Sequence, residues 1–443
     1  MSEFVATLDY DTVPDRVVQR VKRQCLDLTG VALAGYGEDA ARIVRATSLV
    51  PGGSGPSTVW ASGGRAAPAD AAFVNATAAH ALDFDDMWLP GSHPSAPIFP
   101  AALAVAEERQ ASGRDLVTAM VAGYEVMGRL HSSVSGRFGW HPTGVFGTFG
   151  AAAAACRLLG LSPAQTATAF GIASSMTGGI DGHSGTMTKP LHAGLAAQAG
   201  VRAAFLAAAG LTASVSAFDG RHSFFDAFFG PASRQVWRLT TNLGRDFYLL
   251  SPGIGIKVYP AGYYMHQTFE AALQLVEEHD LSADDIARVR IAVTADRFDR
   301  PRPKSGLDAK FSLQYMAAAA ILFRRLEPDL FAPAVVDGED VRDLLARIET
   351  YPDPATNTNP DIANNPVTIT CVDGRELTAT VTMPRSHWAF DLPRDVWLGK
   401  FRRNASPVLG AGRAEEVIGA FDALEKVDAA ELATLLRAPG TAG

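Results

Sequence analysis

Helix follows helix through roughly the first 250 residues of the chain, and most of these helices are rich in alanine. Val13, Val17, Val18, Val21, Cys25 and Leu28 recur at helical spacing, with Pro14 near the start, where its missing N–H costs nothing. Further helical stretches follow at 67–82, 97–111, 114–133, 144–159, 163–175 and 190–209. Alanine is the best helix former, and small side chains let helix axes approach closely. Turns such as Ala111-Ser112-Gly113 and Gly160-Leu161-Ser162-Pro163 separate the segments. No period of 30–50 residues recurs, so the helices are not a solenoid. With 443 residues, 47% of them hydrophobic, the chain buries a large core and is neither disordered nor fibrous.

The pattern changes after about residue 265. A helix at 266–279 leads into Ala287-Arg288-Val289-Arg290-Ile291-Ala292-Val293, which alternates like a half-buried strand. Val367–Val372 and Leu377–Thr382 flank Asp373-Gly374, a strong hairpin signal. Helices are expected at 310–324 and 337–348, and an exposed loop rich in Asn and Pro at 352–366. Helices return at 394–404, 413–425 and 429–437. The expected fold is therefore mainly α: a large helical domain, 1–266 with 396–443, and a smaller α+β domain, 267–395, set as a lid.

Several function classes fall away. The net charge is −8 without a run of like charges, which excludes a basic nucleic-acid-binding face. The most apolar stretch, 145–161, carries Thr148 and Arg157 and reads as a buried helix, so no membrane span is expected. The N-terminal MSEFVATLDYD shows no secretory pattern. Cys25, Cys156 and Cys371 lie far apart without C-x-x-C, which points to a reducing cytoplasm and away from cysteine-held metals. Neither metal nor organic cofactor is expected, since the histidines also lack ligand spacing. A divalent site built from His80, Asp83, Asp86 and His93 is the alternative the residues leave open.

Four segments carry the chemistry: 80–95 (HALDFDDM through SHPS), 139–144 (GWHPTG), 185–192 (GTMTKPLH) and 257–266, beginning Lys257-Val258-Tyr259-Pro260. His93, His141 and Lys189 each stand just ahead of an expected helix. A cation at a helix N-terminus is unfavourable unless an anion lies between, so the three starts together suit a multiply charged anion. Asp83, Asp85 and Asp86 crowd a helix C-terminus, where at least one carboxyl should have a raised pKa and could act as a base. The Gly-rich stretch 178–185 follows a helix and lacks G-K-[ST], so it reads as an active-site loop and not a phosphate cradle.

These segments, together with Lys310-Phe311-Ser312-Leu313-Gln314-Tyr315, resemble the MmgE/PrpD family in order and spacing. That family includes 2-methylcitrate dehydratase, cis-aconitate decarboxylase and iminodisuccinate epimerase. The resemblance implies cofactor-free proton chemistry beside carboxylates, the two-domain fold above, and a homodimer. It places the active site on Asp83, His93, His141, Lys189, Lys257 and Tyr315. Asp83, His93, Lys189 and Tyr315 are expected to be catalytic, and His141, Lys257, Met87 and Gly262 to bind substrate. Met87 and Gly262 stand where cis-aconitate decarboxylase carries a Thr and a His, which implies a less polar, roomier pocket suited to a substrate with an alkyl arm. The leading expectation is thus a lyase dehydrating a small hydroxy-polycarboxylate of the 2-methylcitrate type. The alternatives are decarboxylation of a cis-aconitate-like acid and epimerisation of a dicarboxylate. A non-catalytic binding protein fits the Asp83, His93 and Lys189 set least.

Overall fold

The computed structural model describes residues 1–49, 54–88, 91–136, 139–293, 298–353 and 365–440. The Asn- and Pro-rich loop expected at 352–366 falls mostly outside them, as does the Leu89-Pro90 part of the first chemical segment.

Helices dominate, and the central ones are apolar all round. Ser95–Arg109 and Pro142–Leu158 bury nearly every residue, as helices at the middle of a large core must. Gly200 shows why alanine and glycine are needed. A Cβ there would lie 2.6 Å from the amide nitrogen of Ala152, so only glycine lets Thr188–Ala208 pack this closely on Pro142–Leu158. Capping boxes at Ser112 and Ser162 start Gly113–Ser132 and Pro163–Ser174, each satisfying otherwise unpaired N–H groups.

The apolar interior forms two main clusters. One runs from Val5 to Ile254 and is completed by Leu398 to Leu436. The other gathers residues between Tyr259 and Ala379 around a four-stranded sheet. Its strand order is Ile348–Pro352, Ile286–Val293, Val367–Cys371, Glu376–Ala379. The last two form the hairpin expected around Asp373-Gly374, pairing Val367 with Ala379 and Ile369 with Leu377. Ile348–Pro352 runs parallel to Ile286–Val293 and was not expected. Its five residues are mostly half-exposed and follow directly on a helix, Glu339–Leu345, that the sequence carries to 348. Among the described residues, no helix is long and apolar enough to cross a membrane.

Candidate active site

Pro68–Ala81 ends in His80-Ala81, and the chain then turns through Asp83, a non-glycine residue at φ +51°. The turn places three carboxylates at the negative end of a helix, and each meets a different answer. Asp83 receives two ammonium groups. Lys189 Nζ lies 3.2 Å from its Oδ2, and Lys257 Nζ bonds both its Oδ1 and, at 3.0 Å, its carbonyl oxygen. Burial alone would raise the Asp83 pKa, but these lysines hold it well below the usual carboxylate range. Asp85 is likewise held low against its burial, by His80 and His93. Asp86 is the carboxyl whose pKa rises, to about 8, chiefly through burial. It faces Ser95, whose amide lies 3.2 Å from Oδ1, and does not line the cavity. The raised pKa expected of one carboxyl in the cluster falls on Asp86, while Asp83, expected to be catalytic, is held as a stably ionised anchor.

Lys189 occupies the first turn of Thr188–Ala208, which begins two residues earlier than the sequence suggests. The anion that offsets a cation at this helix start is the protein's own Asp83. Lys257 is completely buried, and a second buried cation supports the turn from beneath. Lys400, from Arg394–Leu409, bonds Asp27 at 2.8 Å and the Phe84 carbonyl at 2.7 Å. The C-terminal helices thereby fix the acidic turn, a role no local motif announces.

His93 bonds the Asp86 carbonyl through Nδ1 at 2.9 Å, which leaves Nε2 as the unprotonated atom of a neutral ring, 3.9 Å from Asp83. Burial, with Lys189 and Lys257 acting against Asp85, brings its pKa to about 3. His141 caps the helix Pro142–Leu158 and meets His192 Nδ1 at 3.1 Å. Its Nε2 is buried and finds no hydrogen-bond partner among the described residues, and burial keeps the ring neutral.

Asp83, His93, His141, Lys189, Lys257, Met87 and Gly262 all line one cavity between the two cores. The Met87 backbone is fixed by paired bonds to Gly255, both 2.9 Å. Tyr315 is not in that lining. It lies inside the smaller core, where its hydroxyl donates to the Leu330 carbonyl. Ser312 caps the helix Leu313–Phe323 by accepting from the Tyr315 amide at 3.0 Å, and this turns the side chain inward. Tyr315→Phe should therefore leave turnover nearly unchanged and cost about 1–3 kcal/mol of stability, the penalty for stranding a buried carbonyl. A large fall in kcat at undiminished stability would return Tyr315 to the site.

The space beside Gly262 also differs from expectation. A Cβ there would sit 3.0–3.1 Å from the Phe311 ring, so Phe311 already fills the room that the missing side chain was expected to leave. Gly262→His should cost about 1–3 kcal/mol through overpacking, and Phe311→Ala should relieve it, as thermal unfolding of the single and double variants would show. Phe311, Tyr264 and Phe298 give the cavity an aromatic wall; the first two stand in segments the sequence singled out, but none was expected at the site. His131, which lies outside the motifs, also lines it, with Nδ1 3.2 Å from Ser92 Oγ.

His80, Asp85 and His93 bring three ligand-type atoms within 4.8 Å of one another. Both nitrogens of His80 and Nδ1 of His93 already serve hydrogen bonds, and the Lys189 ammonium stands 3.0 Å from His80 Nε2, so the geometry matches a hydrogen-bonded cluster better than a cation site.

The chain matches the MmgE/PrpD N-terminal domain over residues 1–236 and the MmgE/PrpD C-terminal domain over 259–426. It belongs to the MmgE/PrpD family. Among curated relatives it is similar to the cis-aconitate decarboxylases of Homo sapiens and Mus musculus, each 34% identical. The human match covers 96% of this chain and 91% of the relative, and the mouse match 98% and 91%. A cis-aconitate decarboxylase of Aspergillus terreus is 26% identical, with 98% and 95% covered.

Proposed function

We propose that this MmgE/PrpD protein is a cofactor-independent decarboxylase of a small unsaturated polycarboxylate of the cis-aconitate type. The observation that carries the reading is the state of Asp83. Dehydration needs a base to remove a proton next to a carboxylate; a carboxylate pinned between two ammonium groups is a weak base, and so is the His93 ring, whose pKa burial lowers to about 3. Decarboxylation needs no such base. The bond to the departing carboxylate breaks, its electron pair becomes a new double bond, and the displaced pair settles next to a remaining carboxylate. Lys189 and Lys257 stabilise that enolate-like charge. His141 contributes Nε2–H to a substrate carboxylate when His192 donates across their 3.1 Å contact. The carbon then takes up one proton. The similarity to named cis-aconitate decarboxylases supports the same choice.

Proton NMR in deuterated water, with cis-aconitate, 2-methylcitrate and a simple dicarboxylate, tests it. Loss of carbon dioxide with one deuterium in the product is expected. Loss of water would establish the dehydratase instead, and bare exchange or inversion the epimerase. We also propose a cytoplasmic homodimer, with the smaller domain, 267–395, as the lid. Light scattering should give twice the 46.8 kDa chain mass, and a monomer at micromolar concentration would refute the dimer.

A further inference from the structure

We propose that His80 and Asp85 form a positioning pair that aims the Lys189 ammonium at the substrate. Neither residue lines the cavity, and both side chains are fully buried. His80 Nδ1 lies 2.9 Å from an Asp85 carboxylate oxygen, and its Nε2 lies 3.0 Å from Lys189 Nζ. An ammonium can only donate, so Nε2 must carry the lone pair and Nδ1 the hydrogen. Asp85 enforces that tautomer by accepting the Nδ1–H. The pattern is that of a metal-bound histidine oriented by a carboxylate, with an ammonium in the metal's place.

The consequence lies in how Lys189 uses its three N–H bonds. One goes to His80 Nε2 and one to Asp83 Oδ2, at 3.0 and 3.2 Å. The third is then directed towards the cavity that Lys189 lines. A lysine side chain is otherwise a flexible stem with a rotating head, so two fixed acceptors convert it into an oriented donor. The groups packed around His80 fit this arrangement. The His93 and His141 rings lie with centroids 4.4 and 5.7 Å away, and burial together with Lys189 keeps His80 neutral against the pull of Asp85 and Asp83.

The role assigned to Lys189 rests on the decarboxylase reading, so the test has one arm that needs no turnover. In protein carrying 15N-histidine, the His80 Nε2 resonance, assigned from its loss in His80→Gln, should fall in the unprotonated range at neutral pH. It should also move in Lys189→Met. A protonated Nε2, or one indifferent to Lys189, overturns the pair whatever the reaction. The kinetic arm is a double-mutant cycle on cis-aconitate. His80→Leu should lower kcat about 30-fold or more, and His80→Gln, whose amide oxygen can still accept from Lys189, should recover most of it. In the Lys189→Met background His80→Leu should change kcat by less than about 3-fold. Equal losses in both backgrounds would show a merely structural histidine and sink the proposal. Inactivity of the native protein on cis-aconitate would count against the proposed function and leave the NMR result standing.

Discussion

Lys189→Met is expected to lower kcat/KM by roughly 10²–10³-fold, the usual loss when one preorganised donor to a developing anion is removed. Methionine keeps much of the apolar stem and deletes only the charge and its N–H groups. The fold should tolerate this, because Asp83 retains Lys257 on its other oxygen. What is stranded is His80 Nε2, at a cost of about 1–3 kcal/mol. Lys257→Met should behave differently. That ammonium is completely buried and holds both the side chain and the carbonyl of Asp83, so its loss should cost about 3–5 kcal/mol as well as activity. Steady-state kinetics beside thermal unfolding separate the two. A Lys189→Met enzyme retaining a tenth or more of native kcat/KM would mean that this ammonium is not the charge-stabilising group.

The second large effect is on stability in mild acid. Seven histidines are buried with depressed pKa values, each mainly through burial: His93 and His266 at about 3, His131 and His192 at about 4, His141 well below its ordinary value, and His80 and His387 lowered. Unfolded, each titrates near 6.5. Between pH 6.5 and 4 the unfolded chain therefore binds protons that the folded chain refuses. The stability these rings confer is complete above pH 6.5 and is lost as the pH falls through that window. Asp86 and Glu125 act in the opposite sense, since burial raises them to about 8 and about 7 and they hold protons that the unfolded chain releases above pH 4. Each such histidine not offset by a raised carboxyl costs about 1.4 kcal/mol per pH unit as the pH falls. Against a typical total of about 5–15 kcal/mol, losses of that size should lift the acid-unfolding midpoint to about pH 4 or above. Circular dichroism across an acid titration reads the midpoint directly. A midpoint below about pH 3, as carboxylates alone would give, would show that the histidines are not buried and neutral.

Much of this could be read along the chain because the signals are local. Alanine-rich periodicity marks the helices, Asp373-Gly374 marks the hairpin, and the order HALDFDD, SHPS, GWHPTG, GTMTKPLH, KVYP marks the family. Each depends on residues within a few positions of one another, where backbone preference and spacing act directly. The residue types at the site were legible for the same reason, since Asp83, His93, His141, Lys189 and Lys257 all fall within those motifs.

What the chain could not reveal was the use to which each residue is put. Tyr315 sits in a motif with Lys310 and Phe311, yet helix capping by Ser312 directs its hydroxyl to Leu330 while Phe311 turns to the cavity. Gly262 reads as open space only until a ring from a distant segment is placed against it. Asp83, Asp85 and Asp86 are neighbours in one motif, but the first is held ionised by lysines 106 and 174 residues away while the last is raised by its burial. Protonation is set by burial and by the charges that folding brings within a few ångströms, and both are properties of the assembled core. The sequence by itself determined the helices, the hairpin and the cast of charged groups. Only the tertiary structure decided which carboxylate is an anchor, which imidazoles stay neutral, and which ammonium is completely buried, because Coulomb and desolvation energies depend on distances that no local pattern records.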